Sequence, residues 1–191
     1  MNFKILRGWE TLSRQVILNH NKFLQVENHV VKTPAGVIIP DWGWVITPDA
    51  INVVAVTPDQ RFLCLRQRRY AVAEPSLAPV GGFIEPDEKP LDAAKRELLE
   101  EVGCEATDWI SLGSYVTEPN RGIGILHQYL ALGAVQVIEP DSGDLEDQEL
   151  LYLSRKDLES ALKNGDFKIL SWAAAMALAL NYLSTSGKEA T

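Results

Sequence analysis

The sequence predicts an α+β fold, an α/β/α sandwich preceded by a β-rich N-terminal segment. Three observations predict it. The first 48 residues alternate short apolar runs with Asn, Pro and Gly, which is strand-and-turn punctuation. One stretch, from Pro90 to Gly103, carries Leu91, Ala94, Leu98 and Val102 at helical spacing between strand-like segments. Two further helical patterns close the chain. Strands, helix, strands and two helices in that order fit an α+β fold or an α/β/α sandwich better than a doubly wound sheet.

The elements follow in order. In residues 1–48, "DWGWV" places Trp42 and Trp44 two apart, so both rings share one face of a strand. "AINVVAVTPDQRFLCLRQRRY" reads as a hairpin: Val53 to Val56, a turn at "TPDQ", then Phe62 to Arg66. "AVAEPSLAPVGG" is rich in Pro and Gly and reads as a loop. A helix follows, with Asp87 or Glu88 as its cap, Pro90 in its first turn and Gly103 at its end. "WISLGSYVTEP" and "ILHQYLALGAVQVI" are strand-like, and "PDSGDLEDQE" is an acidic loop. "LLYLSRKDLESALKNGD" gives a strand and a short helix with Ser154 as cap. The apolar run from Ile169 to Leu183 is too short and too interrupted, by Ser171 and Asn181, for a membrane span, and reads as a buried or subunit-facing helix. Three parts result: a β-rich segment 1–48, a main domain 49–184 and a tail 185–191.

Composition limits the function. The chain has 191 residues, a formal net charge of -8 and no lysine- or arginine-rich run, which argues against a nucleic-acid or anionic-membrane partner. The N-terminus has no long apolar core of a signal peptide, so the cytoplasm is expected. Cys64 and Cys104 form no paired motif and read as small buried hydrophobes. His20, His29 and His127 are scattered and read as structural or surface residues.

The chemistry concentrates in the helix after the Pro/Gly stretch. At 3.6 residues per turn, Glu97, Glu100 and Glu101 share one face, opposite Leu98. A solvated face usually intersperses lysines among such acids, and here only Lys95 and Arg96 precede them. Clustered carboxylates are what a hard divalent cation prefers, and a cation there would turn the cluster into a phosphate-binding surface.

Around this helix, "GGFIEPDEKPLDAAKRELLEEVGC" resembles the Nudix box, G-x5-E-x7-R-E-U-x-E-E-x-G-U with U apolar. Gly82, Glu88, Arg96, Glu97, Leu98, Glu100, Glu101 and Gly103 fill its lettered positions; Cys104 stands at the last apolar one. The resemblance implies a loop–helix–loop in which Glu97, Glu100 and Glu101, with the carbonyl of Gly81, bind Mg2+ or Mn2+. Arg96 would brace a glutamate, Glu88 or Glu97. Gly82 permits a backbone path that a Cβ would obstruct.

Most of the chain also resembles the ADP-ribose pyrophosphatase branch of that family. The β-rich segment lies where that branch builds its homodimer. Gln67-Arg68-Arg69 ends a strand pair as its Gln-aromatic-Arg motif does, with Arg in the aromatic place. Pro119 lies where the branch has a marker proline, and the acidic loop aligns Glu146 with an extra catalytic glutamate, Asp144 and Glu149 being the alternatives. "APVGG" lacks the glutamate the branch carries near position 78, and "NRGIGILHQYLA" lacks its acidic residue. The resemblance implies Mg2+-dependent hydrolysis of a nucleoside diphosphate sugar such as ADP-ribose, giving AMP and ribose 5-phosphate, by a cytoplasmic homodimer. Glu146 would be the base, with Glu100 the alternative. Arg69 and Arg121 would contact phosphate or ribose, and Trp44, or Trp9 or Trp42, would stack on the nucleobase. Two rival readings are a non-catalytic nucleotide-sugar-binding regulator and a house-cleaning pyrophosphatase of damaged nucleotides.

Overall fold

A computed structural model describes residues 7–140 and 148–186. The described residues divide into two compact units, one within 1–48 and 116–124, the other within 49–115 and from 125 onward.

The first unit is an antiparallel sheet of β1 (Glu10–His20), β2 (Leu24–Lys32) and β3 (Ile38–Ile46). In the β2–β3 register His29 faces Trp42 and Glu27 faces Trp44, so the two indoles do share a face. Across β1, Arg14 faces His29 and Thr11 faces Val31. Every residue of β1 is exposed, including Leu12, Val16, Ile17 and Leu18.

The second unit is built on a seven-stranded sheet of mixed direction. Its spine runs β12 (Gln148–Leu153), β5 (Phe62–Arg69), β4 (Ala50–Val56), β10 (Ile125–Leu132), β9 (Asp108–Val116). β4 and β10 are parallel, and β4 and β5 antiparallel. The Pro/Gly stretch expected to be a loop forms two strands instead, β6 (Val72–Ala78) on β5 and β7 (Val80–Phe83) on β4. Local composition concealed them because Pro75, Pro79, Gly81 and Gly82 punctuate the segment, although β6 simply folds back on β5 as a hairpin. Pro79, which has no N–H to donate, occupies the corner between them, where the sheet splits: β4 and β5 pair directly only at Ala55–Leu63 and Val56–Phe62.

Alternation sorts the core into two layers. Ile51, Val53, Ala55, Leu63 and Leu65 face α1 (Pro90–Val102), whose Ala94, Leu98 and Val102 are completely buried. Val54, Val56, Cys64 and Leu130 face α2 (Arg155–Asn164) and α3 (Leu170–Thr185). Helices thus cover both faces of the sheet, and a small ladder of β8 (Cys104–Glu105) with β11 (Val135–Gln136) completes the unit. Among the described residues no helix is long and apolar enough to cross a membrane.

Candidate active site

α1 starts and stops on chemistry visible in its sequence, with one difference. Pro90 occupies its first turn, and Gly103 ends it in the left-handed region at φ 66°, its N–H returning to the carbonyls of Leu98 and Leu99. The N-cap is Lys89, without a side-chain cap, rather than Asp87 or Glu88. Glu88 is engaged elsewhere: its carboxylate accepts from the Glu85 N–H and from Arg96.

Arg96 is the hub. Its Nε and Nη2 form a fork onto Glu88 at 2.8 and 3.0 Å. Its Nη1 reaches Glu97 at 2.7 Å and Glu100 at 3.0 Å, and Nη2 also donates to the Phe83 carbonyl at 3.1 Å. One planar guanidinium therefore spans the loop before the helix and two turns of the helix. The Glu88 contact, before all others, holds the guanidinium's pKa well above its ordinary value, and in return Arg96 holds Glu88 below the usual carboxylate range. Burial pushes Glu97 the other way, upward, despite Arg96.

The glycines shape this arrangement. A Cβ on Gly82 would collide with the Glu97 carboxylate, and one on Gly81 would lie 2.7 Å from Asn52 Oδ1 and 2.8 Å from the Ile51 carbonyl. The backbone of β7 thus packs directly against the acidic helix. Glu101 is 8% exposed, and its Oε2 accepts the Gly81 N–H at 2.9 Å.

Among the described residues no three acidic, histidine or cysteine side chains are grouped closely enough, as they stand, to hold a metal ion. The donor set nevertheless suits a hard divalent ion: it consists of carboxylate oxygens beside a glycine backbone. One guanidinium answers three carboxylates, Glu88, Glu97 and Glu100, so the cluster keeps negative charge. A soft-metal or thiol site does not fit. Burial pushes the Cys64 thiol up to about 12 and raises that of Cys104.

The other described residues that the sequence predicts belong to other segments of the chain. Arg69 ends β5 in the second unit, opposite Val72. Glu146 and Asp144 lie outside the described residues. Glu149 is exposed and pairs with Arg66 at 3.3 Å. Trp44 and Arg121 belong to the first unit. There the Arg121 guanidinium stands 5.4 Å from the centre of the Trp42 ring, and Trp44 stacks on His29 at 5.2 Å. Trp44 also closes on Gly122, where a Cβ would meet the indole nitrogen.

The first unit also holds a feature the scattered histidines gave no signal for. His29 is buried and shares a 2.7 Å hydrogen bond with Glu27, whose carboxyl it holds below the usual range. The pairing becomes legible only when β2 is drawn as a strand, with positions 27, 29 and 31 on one face. His29 borders a cavity of about 440 Å3 together with Trp9, Arg14, Trp42, Trp44 and Asn120.

Comparison with known proteins places these features in a family. The model of the NUDIX domain matches residues 46–173. A methanol dehydrogenase activator of Bacillus methanolicus is 30% identical over 118 residues, which are 61% of this chain and 62% of that protein. An ADP-ribose pyrophosphatase of Bacillus subtilis (strain 168) is 29% identical over 136 residues, 71% of this chain and 72% of that one. The fold matches a crystal structure of an ADP compounds hydrolase with a TM-score of 0.79 at 21% identity, over 97% of this chain and all of the other.

Proposed function

The chain belongs to the Nudix family and is a Nudix hydrolase resembling the ADP-ribose pyrophosphatases, and we propose that it hydrolyses the pyrophosphate bond of a nucleoside diphosphate sugar, ADP-ribose foremost, to AMP and ribose 5-phosphate. The observation that carries this reading is the Arg96 hub, which holds Glu88, Glu97 and Glu100 in one array beside the Gly81–Gly82 backbone.

In this reading Glu97, Glu100, Glu101 and the Gly81 carbonyl hold Mg2+, with Mn2+ able to replace it. When bound, the cation supplies charge neutralisation on the diphosphate and acidification of the attacking water. Arg96 keeps Glu97 and Glu100 in position through charge-assisted bonds. Glu146 takes the proton from the attacking water, with Glu100 as the alternative base. Arg69 and Arg121 contact the phosphates or ribose. Trp44 supports the nucleobase, through its indole face where His29 does not cover it.

We further propose a homodimer formed through the first unit. An eleven-residue strand, exposed throughout and carrying Leu12, Val16, Ile17 and Leu18, supports it.

The test is product analysis. Purified protein with ADP-ribose and Mg2+ should yield AMP and ribose 5-phosphate, and chelation should stop the reaction. Release of pyrophosphate from nucleoside triphosphates, with ADP-ribose left intact, would replace this reading with nucleotide house-cleaning. A regulatory role is the second reading, favoured by the relative named as a methanol dehydrogenase activator. Binding of ADP-ribose without turnover across a panel of nucleotide sugars would select it.

A further inference from the structure

Two buried amides interrupt an otherwise apolar layer of the second unit. On the α3 side of the sheet, β4 presents Asn52, Val54 and Val56, and β10 presents Gln128 and Leu130. Asn52 and Gln128 are direct cross-strand partners, 4% and 2% exposed. Both donate to one acceptor, the Ser171 carbonyl in the first turn of α3, each at 3.4 Å. The Oε1 of Gln128 is sealed from solvent and has no hydrogen-bond partner among the described residues. Leaving a buried polar atom in that state destabilises the fold. Apolar side chains would suit this layer better, as they do one row along at Val54 and Leu130. The amide row therefore calls for a reason other than stability.

Gly81 supplies one. It is the partner of Asn52 on the other side of β4, in the pairing with β7. A Cβ on Gly81 would lie 2.7 Å from Asn52 Oδ1, so the amide fills the space that the missing side chain leaves. From the α1 side, Glu101 Oε2 accepts the Gly81 N–H at 2.9 Å. Gly81 is thus held between Glu101 and Asn52. The tip of Asn52 is itself tied down, because its Nδ2 donates to the backbone of α3 and Gln128 donates to the same carbonyl. Hydrogen bonds to a helix backbone fix a side chain more sharply than packing alone.

We propose that Asn52 is a positioning residue for the cation site. Anchored on Ser171 and flanked by Gln128, it backs the Gly81 peptide, so that the N–H stays on Glu101 and the carbonyl stays available to the divalent ion. This rests on the cation reading above and names what holds its glycine in place.

The experiment measures Mn2+ binding without substrate, from the loss of the free ion's electron paramagnetic resonance signal. Asn52→Leu keeps the approximate volume and removes both polar atoms; Asn52→Ala replaces it if thermal unfolding shows that it does not fold. Ser154→Ala, at the cap of α2, controls for lost stability away from the glycines. The Asn52 variant is expected to bind Mn2+ about 10-fold more weakly, and Ser154→Ala to match wild type. Wild-type affinity in the folded Asn52 variant, whatever its stability, overturns the positioning role, and so does equal weakening in Ser154→Ala. If wild type itself binds no Mn2+, the cation reading fails, and amide hydrogen exchange then decides whether Asn52 positions Gly81. The Gly81 amide should exchange about 10-fold faster in the variant while that of Val54 keeps its wild-type rate. An unchanged rate at Gly81, or a matching rise at Val54, overturns it.

Discussion

Arg96 shows how much a single side chain can organise. Its fork onto Glu88 fixes the guanidinium, and the fixed guanidinium then presents Nη1 to Glu97 and Glu100. Lysine would keep the charge but lose the fork. Arg96→Lys should therefore lower kcat/KM for the proposed reaction roughly 10- to 100-fold, the usual cost of removing an orienting partner, while circular dichroism stays unchanged. Glu97→Gln and Glu101→Gln remove proposed cation ligands and should each reduce turnover by at least about 100-fold at fixed Mg2+. Near-wild-type rates in either would contradict the cation assignment. At this scale the sequence was highly legible for the box, since its residues lie close together on one helix and the turn before it. It was silent about the buried pair of Glu27 and His29, which depends on β2 being a strand that sets both on one face.

Helix ends were legible wherever the capping chemistry is local. Ser154 caps α2 in a full capping box: its hydroxyl accepts the Asp157 N–H, and the Asp157 carboxylate accepts the Ser154 N–H. Ser154→Ala should cost about 1 kcal/mol in chemical denaturation. The bonds from Ser154 also hold the Asp157 carboxyl below its ordinary pKa. A carboxyl lowered in the folded state contributes stability above its unfolded pKa and loses it as pH falls through the folded one. The gap in stability between wild type and Ser154→Ala should thus narrow as pH drops below the ordinary Asp range near 4. A gap independent of pH would remove Asp157 from the cap. The start of α1 was misjudged for a related reason. Asp87 and Glu88 have the right residue types for a cap, but Asp87 has a φ of +64° and Glu88 is claimed by Arg96. β6 and β7 were hidden by Pro75, Pro79, Gly81 and Gly82, which punctuate a single strand locally yet here permit a corner.

For the whole molecule, the order of elements was enough to reach the fold class, because strand and helix periods differ and each segment keeps its own. Strand order was not, since nothing local records that β10 lies beside β4 in parallel. The proposed dimer also belongs to this scale. Light scattering at micromolar concentration should give twice the monomer mass, and Ile17→Lys, on the exposed strand β1, should shift it towards the monomer.

The parallel pairing of Ala50 with Leu126 has a kinetic consequence. The box, its helix and both glycines all lie in the excursion of chain between those two residues. Closing such a long excursion is entropically slow, and it must precede any gain from the contact. Its closure also completes the layer on which α1 packs, because Ala131 of β10 lies in that layer. During refolding from denaturant, enzymatic activity and the fluorescence of Trp172, which is partly buried against the core, should recover with one rate constant.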